Sequence, residues 1–345
     1  MANRTVYVIG AGASCEIGMP IGDELKKQIA ELLVMKFQYG ELSAGNKHLF
    51  RAIQHHCSND LEDIKKYCTE CDYISKNMNL AISIDNFIDS NRGNEVLALC
   101  GKMGIVEAIL KAEKNSSVYF KKEDAYSELN DSKLDGTWYL HLFRTITENC
   151  EKEDLKERFS RISLIIFNYD RCIEYVLHNT LAKYFRIPAS EAVELVKNIE
   201  IIHPYGTVGD LPEFSDNEMN TEYGAFLKYG CYANAAQNIN TFTEGGASDD
   251  IGRLHGLMKT CDRLIFLGFA FHRLNMSLLM DAGEKPYSIK KKVKCFATAY
   301  GSSDQDQKSI QSAIADLYTG NVDAYIEDVT CEQLFSKNMR SLGYD

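Results

Sequence analysis

A doubly wound α/β fold, with a mostly parallel sheet and a large helical insertion, is what this sequence predicts. Three observations predict it. Apolar runs such as residues 5–9 (TVYVI) and 162–167 (ISLIIF) are continuous rather than alternating, as in strands covered on both faces. Each is followed by a glycine-rich or polar turn and then by a helical pattern, the order of a strand–helix–strand unit. Between residues 47 and 160 the pattern is almost wholly helical.

In chain order, residues 5–9 read as a buried strand. Gly10 to Pro20 form a turn, and a helical pattern runs over 22–36. Leu49, Ile53 and Cys57 then recur at four-residue spacing. Further helical stretches are expected at 84–112, 120–130, 134–149 and 151–159. A central strand at 162–167 leads to a helix at 171–184 and a short strand at 199–203. The polar stretch 207–250 is long for a loop, so it is expected to hold short elements or a lid. Strands at 264–267, 293–298 and 322–326 and helices at 304–318 and 329–340 complete the chain. Residues 1–40 and 160–345 then form one α/β domain and 41–159 a helical insert. Right-handed crossovers bring the turns after the strands to one sheet edge. Gly10 to Ser14, Asn168, His203, Gly268 and 297–302 are expected to meet there.

Composition narrows the function classes. The chain has 345 residues, 45% of them apolar, which excludes disorder as the main state. Lys plus Arg is 38 against 49 Asp plus Glu, a net charge of −11, which argues against nucleic acid as a direct ligand. The lysine run from Lys290 to Lys294 reads as an exposed approach that blunts a strand edge. Eleven cysteines are few for a disulfide scaffold of this length and odd in number, so free thiols in the cytoplasm are expected. The longest apolar run spans about eight residues, well short of the roughly 20 a spanning helix needs, so no membrane association is expected. The N-terminal stretch breaks at Gly10 and Gly12 and reads as a first strand rather than a secretion signal.

Gly10 and Gly12 allow a tight turn and close backbone approach to a diphosphate. Amides at the following helix start, from Ala11 and Ala13, and the Ser14 hydroxyl suit anionic oxygens. The alternative is a turn that only joins strand to helix. Cys15 stands where the third glycine of a dehydrogenase fingerprint belongs, and no Walker lysine follows. An acidic residue ending a second strand about 20 residues on is also missing, and no second strand is expected before residue 40, which disfavours an oxidoreductase. The Asn168 amide both donates and accepts, so it suits a ribose hydroxyl or a water. Asp170 either faces the crevice or caps the next helix. His203, held extended by Pro204, is either a base on a hydroxyl or a satisfied strand-end histidine. Gly268 permits close approach to a ligand, Asn275 reaches it from the next helix, and Phe269 and Phe271 read as core.

Together these stretches resemble the SIR2-like, or sirtuin, fold family. Gly10-Ala11-Gly12-Ala13-Ser14 with Gly18-Met19-Pro20 is similar to the family's glycine-rich opening. Phe167-Asn168-Tyr169-Asp170 resembles the stretch bearing the catalytic asparagine, and His203-Pro204-Tyr205-Gly206 the one bearing the catalytic histidine. Leu267-Gly268-Phe269 with Asn275 resembles a later NAD-contact segment, and 83–88 (SIDNFI) a helical segment of the bacterial branch. The resemblance implies NAD+ as substrate and cleavage of its nicotinamide–ribose bond, with Asn168 and His203 catalytic. It implies contacts to NAD+ from Gly10, Ala11, Gly12, Ala13, Ser14, Pro20, Asp170, Gly268, Phe269 and Asn275.

The chain departs from the lysine deacylases of that family. They carry two CxxC pairs for zinc; here there is one, Cys68 to Cys71, with His55, His56 and Cys57 upstream, and all fall in helical patterns, so no zinc is expected. These departures resemble the stand-alone bacterial NAD hydrolases of antiphage defence. That likeness implies a homo-oligomer or a partner such as a HerA-like ATPase or an Argonaute-type sensor. A sirtuin-type deacylase and a non-enzymatic NAD or ADP-ribose sensor are the competing expectations.

Overall fold

The computed structural model describes residues 4–121, 128–215, 220–245, 250–280, 286–287, 292–320 and 322–344. Its strands in chain order are β1 (Thr5–Ile9), β2 (Met35–Gln38), β3 (Glu41–Gly45), β4 (Ile162–Ile166), β5 (Glu200–Ile202), β6 (Arg263–Leu267), β7 (Val293–Thr298) and β8 (Val322–Glu327). Six of them form one parallel sheet in the order β5-β4-β1-β6-β7-β8. The chain works outward from β1 to β5, then returns to β6 on the other side of β1. This is the strand order of dinucleotide-binding sheets, with the reversal between β1 and β6. Every residue of β1, β4 and β6 is buried, which is why these runs are apolar without alternation. No helix among the described residues is long and apolar enough to cross a membrane. All eleven cysteines are unpaired.

The segment before residue 40 differs from expectation. The helix Gly22–Leu32 ends early, and β2 pairs with β3 as an antiparallel hairpin outside the main sheet. A second strand does therefore precede residue 40. Tyr39 and Gly40, with φ of 54° and 85°, make the tight turn a two-residue hairpin needs. The stretch 84–112 is two helices, Ile84–Ser90 and Glu95–Asn115. Gly93, at φ 91°, breaks it, and Asn94 caps the second helix. Of the expected helix at 120–130, residues 122–127 lie outside the described residues, and the described ends are not helical. The helices Ala189–Val196 and Asp250–Thr260 were not expected from the pattern. Residues 288–291 lie outside the described residues. Lys292 pairs with Asp323 of β8 at 2.5 Å, and β7 has neighbours on both sides, so Lys292 and Lys294 guard no edge there.

The helix Glu95–Asn115 is the axis of the helical region. It packs on Gly22–Leu32 and on the helix Leu61–Asn77. Gly101 and Gly104 let it approach Ile88 and Ile29 closely, because a Cβ there would meet those side chains at 2.9 and 3.0 Å. One hydrophobic cluster runs from β1 through Leu97, Ile105 and Ile109. At its far end Glu113 and Arg171 form a fully buried pair. The guanidinium also donates to the carbonyls of Gly209, Thr221 and Glu222, and Glu113 accepts from the Gly224 amide at 2.9 Å. The described residues of 207–224 are thereby fastened from beneath rather than lying free. Within 220–250 the helices Tyr232–Gln237 and Phe242–Gly245 are short elements of the expected kind; 216–219 and 246–249 lie outside the described residues.

One carboxylate ties the first turn to two distant helices. Glu16 accepts from the Trp138 amide at 2.7 Å and from the Glu332 amide at 2.9 Å, at the starts of the helices Trp138–Thr147 and Cys331–Leu342.

Candidate functional site

The turns after β1 and β6 touch backbone to backbone. Gly10 N donates to Leu267 O at 2.9 Å and Gly12 N to Gly268 O at 3.0 Å. A Cβ on Gly10 would lie 2.5 Å from Gly268 O, and one on Gly268 2.0 Å from Ala13 N. Gly268 also has φ of 55°, which favours glycine. The contact between the two turns therefore requires these glycines on its own account, whatever ligand approaches them. The Gly268 amide is in turn held by Thr298 Oγ1 of β7 at 2.8 Å.

Asn168 follows β4 and joins this contact. Its Nδ2 donates to Gly10 O at 3.2 Å and to Ser14 Oγ at 3.1 Å, and Ser14 Oγ lies 3.3 Å from the Tyr139 hydroxyl. Ala13 O accepts from the Trp138 indole at 2.8 Å, while Ala11 is half-buried at the helix start. Asn168 Oδ1 is buried and has no hydrogen-bond partner in the protein. A buried amide oxygen of this kind is normally paired. Pro20 is buried at the start of the next helix and reaches the group only through its neighbour, since Met19 N donates to Ser14 O at 3.1 Å.

His203 follows β5 and stands next to Asn168. Its Nδ1 is 3.2 Å from the main-chain oxygen of Asn168, and its Nε2 is 2.7 Å from Glu174 Oε1. Both partners are acceptors, so the ring satisfies them only when each nitrogen carries a proton. Burial alone would lower its pKa. The charge and hydrogen bond of Glu174, together with the Asn168 carbonyl, outweigh that, and the imidazole is raised above its ordinary value. Asp170 Oδ1 accepts from the amide of Cys172, the first residue of the helix Cys172–Phe185, at 3.1 Å; the N-cap position of that helix is Arg171.

The remaining expected residues form an aromatic wall. Phe269 is buried edge-on against Phe167, with ring centroids 5.0 Å apart, and Phe167 packs on Tyr205 at 5.6 Å. Asn275 meets the group through the Tyr205 hydroxyl, which donates to its Oδ1 at 2.6 Å. Tyr169 donates to Asp85, from the helix Ile84–Ser90. Burial pushes the Asp85 carboxyl up to about 6 against that hydrogen bond, which pulls it down.

A cavity of about 470 Å³ opens beside His203, lined among others by Arg171, Glu174, Thr207, Leu211 and Phe214. Neither Asn168 nor the glycine turn lines it. The structure thus gathers Gly10, Gly12, Ser14, Asn168, His203 and Gly268 directly. It joins Phe269 and Asn275 through aromatic neighbours, and Asp170 serves its own helix. Glu174, Asp85, Tyr169 and Tyr205 were missed as site residues. The two tyrosines lie inside the Asn168 and His203 motifs. Glu174 is a carboxylate early in the helix Cys172–Phe185, and nothing in the sequence sets it apart from a solvated one. Among the described residues no group of three or more His, Cys, Asp or Glu side chains is placed to hold a metal; Cys68 and Cys71 face the core, and His56 pairs with Tyr67. No protein-family model matches this chain, and no curated protein matches it.

Proposed function

We propose that the chain hydrolyses NAD+ to nicotinamide and ADP-ribose. The observation that carries this reading is the unpaired, buried Asn168 Oδ1 beside His203, at the ends of adjacent strands of a dinucleotide-type sheet. The residues fit the substrate as follows. Asn168 Oδ1 accepts from a ribose hydroxyl or from the attacking water. The positive nicotinamide ring leaves neutral, taking the bonding pair from C1′, while water adds to C1′. His203 takes the released proton and passes it to solvent. Such proton transfer is typically worth about 10²- to 10⁴-fold. His203 works as a base only after giving up a proton itself, so turnover rises with pH through its raised pKa.

A role as an antiphage effector, and assembly with itself, a HerA-like ATPase or an Argonaute-type sensor, are further parts of this proposal and rest on the motif resemblance. A second reading, an NAD- or ADP-ribose-binding subunit without turnover, draws support from one feature. The Gly10 and Gly12 amides and both His203 nitrogens are already engaged within the protein.

The deciding experiment is nicotinamide release from NAD+ by the purified chain. Asn168→Ala and His203→Ala are each expected to lose roughly 10²-fold or more while binding and circular dichroism persist. Tight NAD+ binding with no nicotinamide from the wild type selects the second reading. Undiminished turnover in both variants removes the assignment.

A further inference from the structure

The geometry points to Glu174 as the positioning residue of His203: its carboxylate holds Nε2 and leaves Nδ1 as the nitrogen that exchanges a proton beside Asn168. The chemistry of this inference rests on the hydrolase reading; the ion pair does not.

Three observations converge. Glu174 Oε1 lies 2.7 Å from His203 Nε2, and the two side chains are only 13% and 11% exposed, so water screens the pair weakly. Glu174 is the third residue of the helix Cys172–Phe185, where the helix dipole favours a negative charge. Its second oxygen, Oε2, is buried with no partner in the protein. A carboxylate kept only to hold the fold together would ordinarily have both oxygens satisfied. This one spends its single contact on the imidazole, on the wall of the cavity that opens beside it.

The consequence for the ring follows from its two nitrogens. With Nε2–H donated to Glu174, a neutral ring carries its lone pair on Nδ1. Nδ1 meets the main-chain oxygen of Asn168 at 3.2 Å, and the Asn168 side chain reaches Gly10 and Ser14. When that carbonyl contact opens to admit a hydroxyl or water, Nδ1 takes its proton. The O–H bond breaks, an N–H bond forms, and the oxygen keeps the electron pair. The charge that appears on the ring is held by Glu174, the part played by the orienting acid of a hydrolase triad. The proton then returns to solvent.

Other charges face the ring from the elements around it. Asp170 lies at the start of the same helix and supports the charged ring. Arg171 is spent on Glu113. Across the cavity, Lys197 pairs with Glu194 and Arg253 with Glu200 and Asp250, while Asp210 lies exposed on the following segment. Glu174 is the charged group in direct contact with the ring among the described residues.

The test is the imidazole titration of His203, followed by NMR in protein carrying ¹³C-labelled histidine and assigned by loss of the signal in His203→Gln. In Glu174→Gln the midpoint is expected to fall by about one pH unit or more. The acid limb of nicotinamide release is expected to move down with it. The plateau kcat is expected to drop about tenfold, with KM for NAD+ within about threefold. Glu174→Asp keeps the charge and gives an intermediate midpoint, and it serves if Glu174→Gln does not fold. An unchanged His203 midpoint in a folded Glu174 variant overturns the inference. Absence of nicotinamide from the wild type instead defeats the hydrolase reading, and the titration still decides the role of Glu174.

Discussion

The two halves of the strand-end rim are built on opposite principles. Between β1 and β6 the turns close on each other: the glycine amides donate to Leu267 and Gly268, and the space a side chain would need is filled by backbone. Between β4 and β5 the rim holds charge and leaves polar atoms unpaired, with His203 against Glu174 and with Asn168 Oδ1 and Glu174 Oε2 lacking partners. The first half is a joint, and the second holds an ion pair and polar atoms without partners in the protein. A glycine-rich turn is thus a poor guide, by itself, to where a ligand is gripped, because packing against another turn demands the same residues.

Breaking the joint should have the largest effect. Gly268→Ala places a Cβ 2.0 Å from Ala13 N at a positive φ. It is expected to destabilise the protein by roughly 3 kcal/mol or more, read as a fall in the denaturant midpoint. A change within experimental error would mean that the two turns separate freely. At the aromatic wall the sign reverses. Asp85 is half-buried, with its carboxyl held up to about 6, above the ordinary value of 3.8. Between about pH 4 and 6 the folded chain keeps a proton that the unfolded chain releases, so stability falls as pH rises through that window. Asp85→Asn is therefore expected to be more stable than wild type at pH 7, by about 1–3 kcal/mol, with the gap closing toward pH 4. A gap that does not change with pH would show that the carboxyl stays neutral or is solvated.

The smallest effect sharpens the other half. His203 is raised in the folded chain, so the pair with Glu174 stabilises fully below the unfolded pKa near 6.5 and less as pH climbs through the folded value. Melting of wild type against His203→Gln should show its largest difference in mild acid and lose it in alkali. Equal curves at both ends would mean the ion pair contributes nothing to the fold.

What the sequence disclosed follows from range. The inner strands β1 and β4 were readable because they are buried on both faces, so the largely apolar runs at 5–9 and 162–166 admit little else. Asn168, His203 and Gly268 were readable as strand-end residues. The hairpin at 35–45 was not, because Met35-Lys36-Phe37 continues a helical run, and only the pairing across Tyr39-Gly40 turns it into a strand. The helix Asp250–Thr260 lies behind a polar stretch whose composition suggested a loop. Glu174 and Asp85 escaped because a carboxylate on a helix reads as solvated until its tertiary partner is known. The role of Gly268 against Gly12 joins positions 256 residues apart, and no local pattern reports such a distance.

Glu16 gives the molecule a mechanical property. A single side chain next to the first turn is grasped by the leading amides of a helix from the middle of the chain and of the one that ends it. A pull on that terminal helix reaches the opening loop directly, through the hydrogen bond from the Glu332 amide to Glu16.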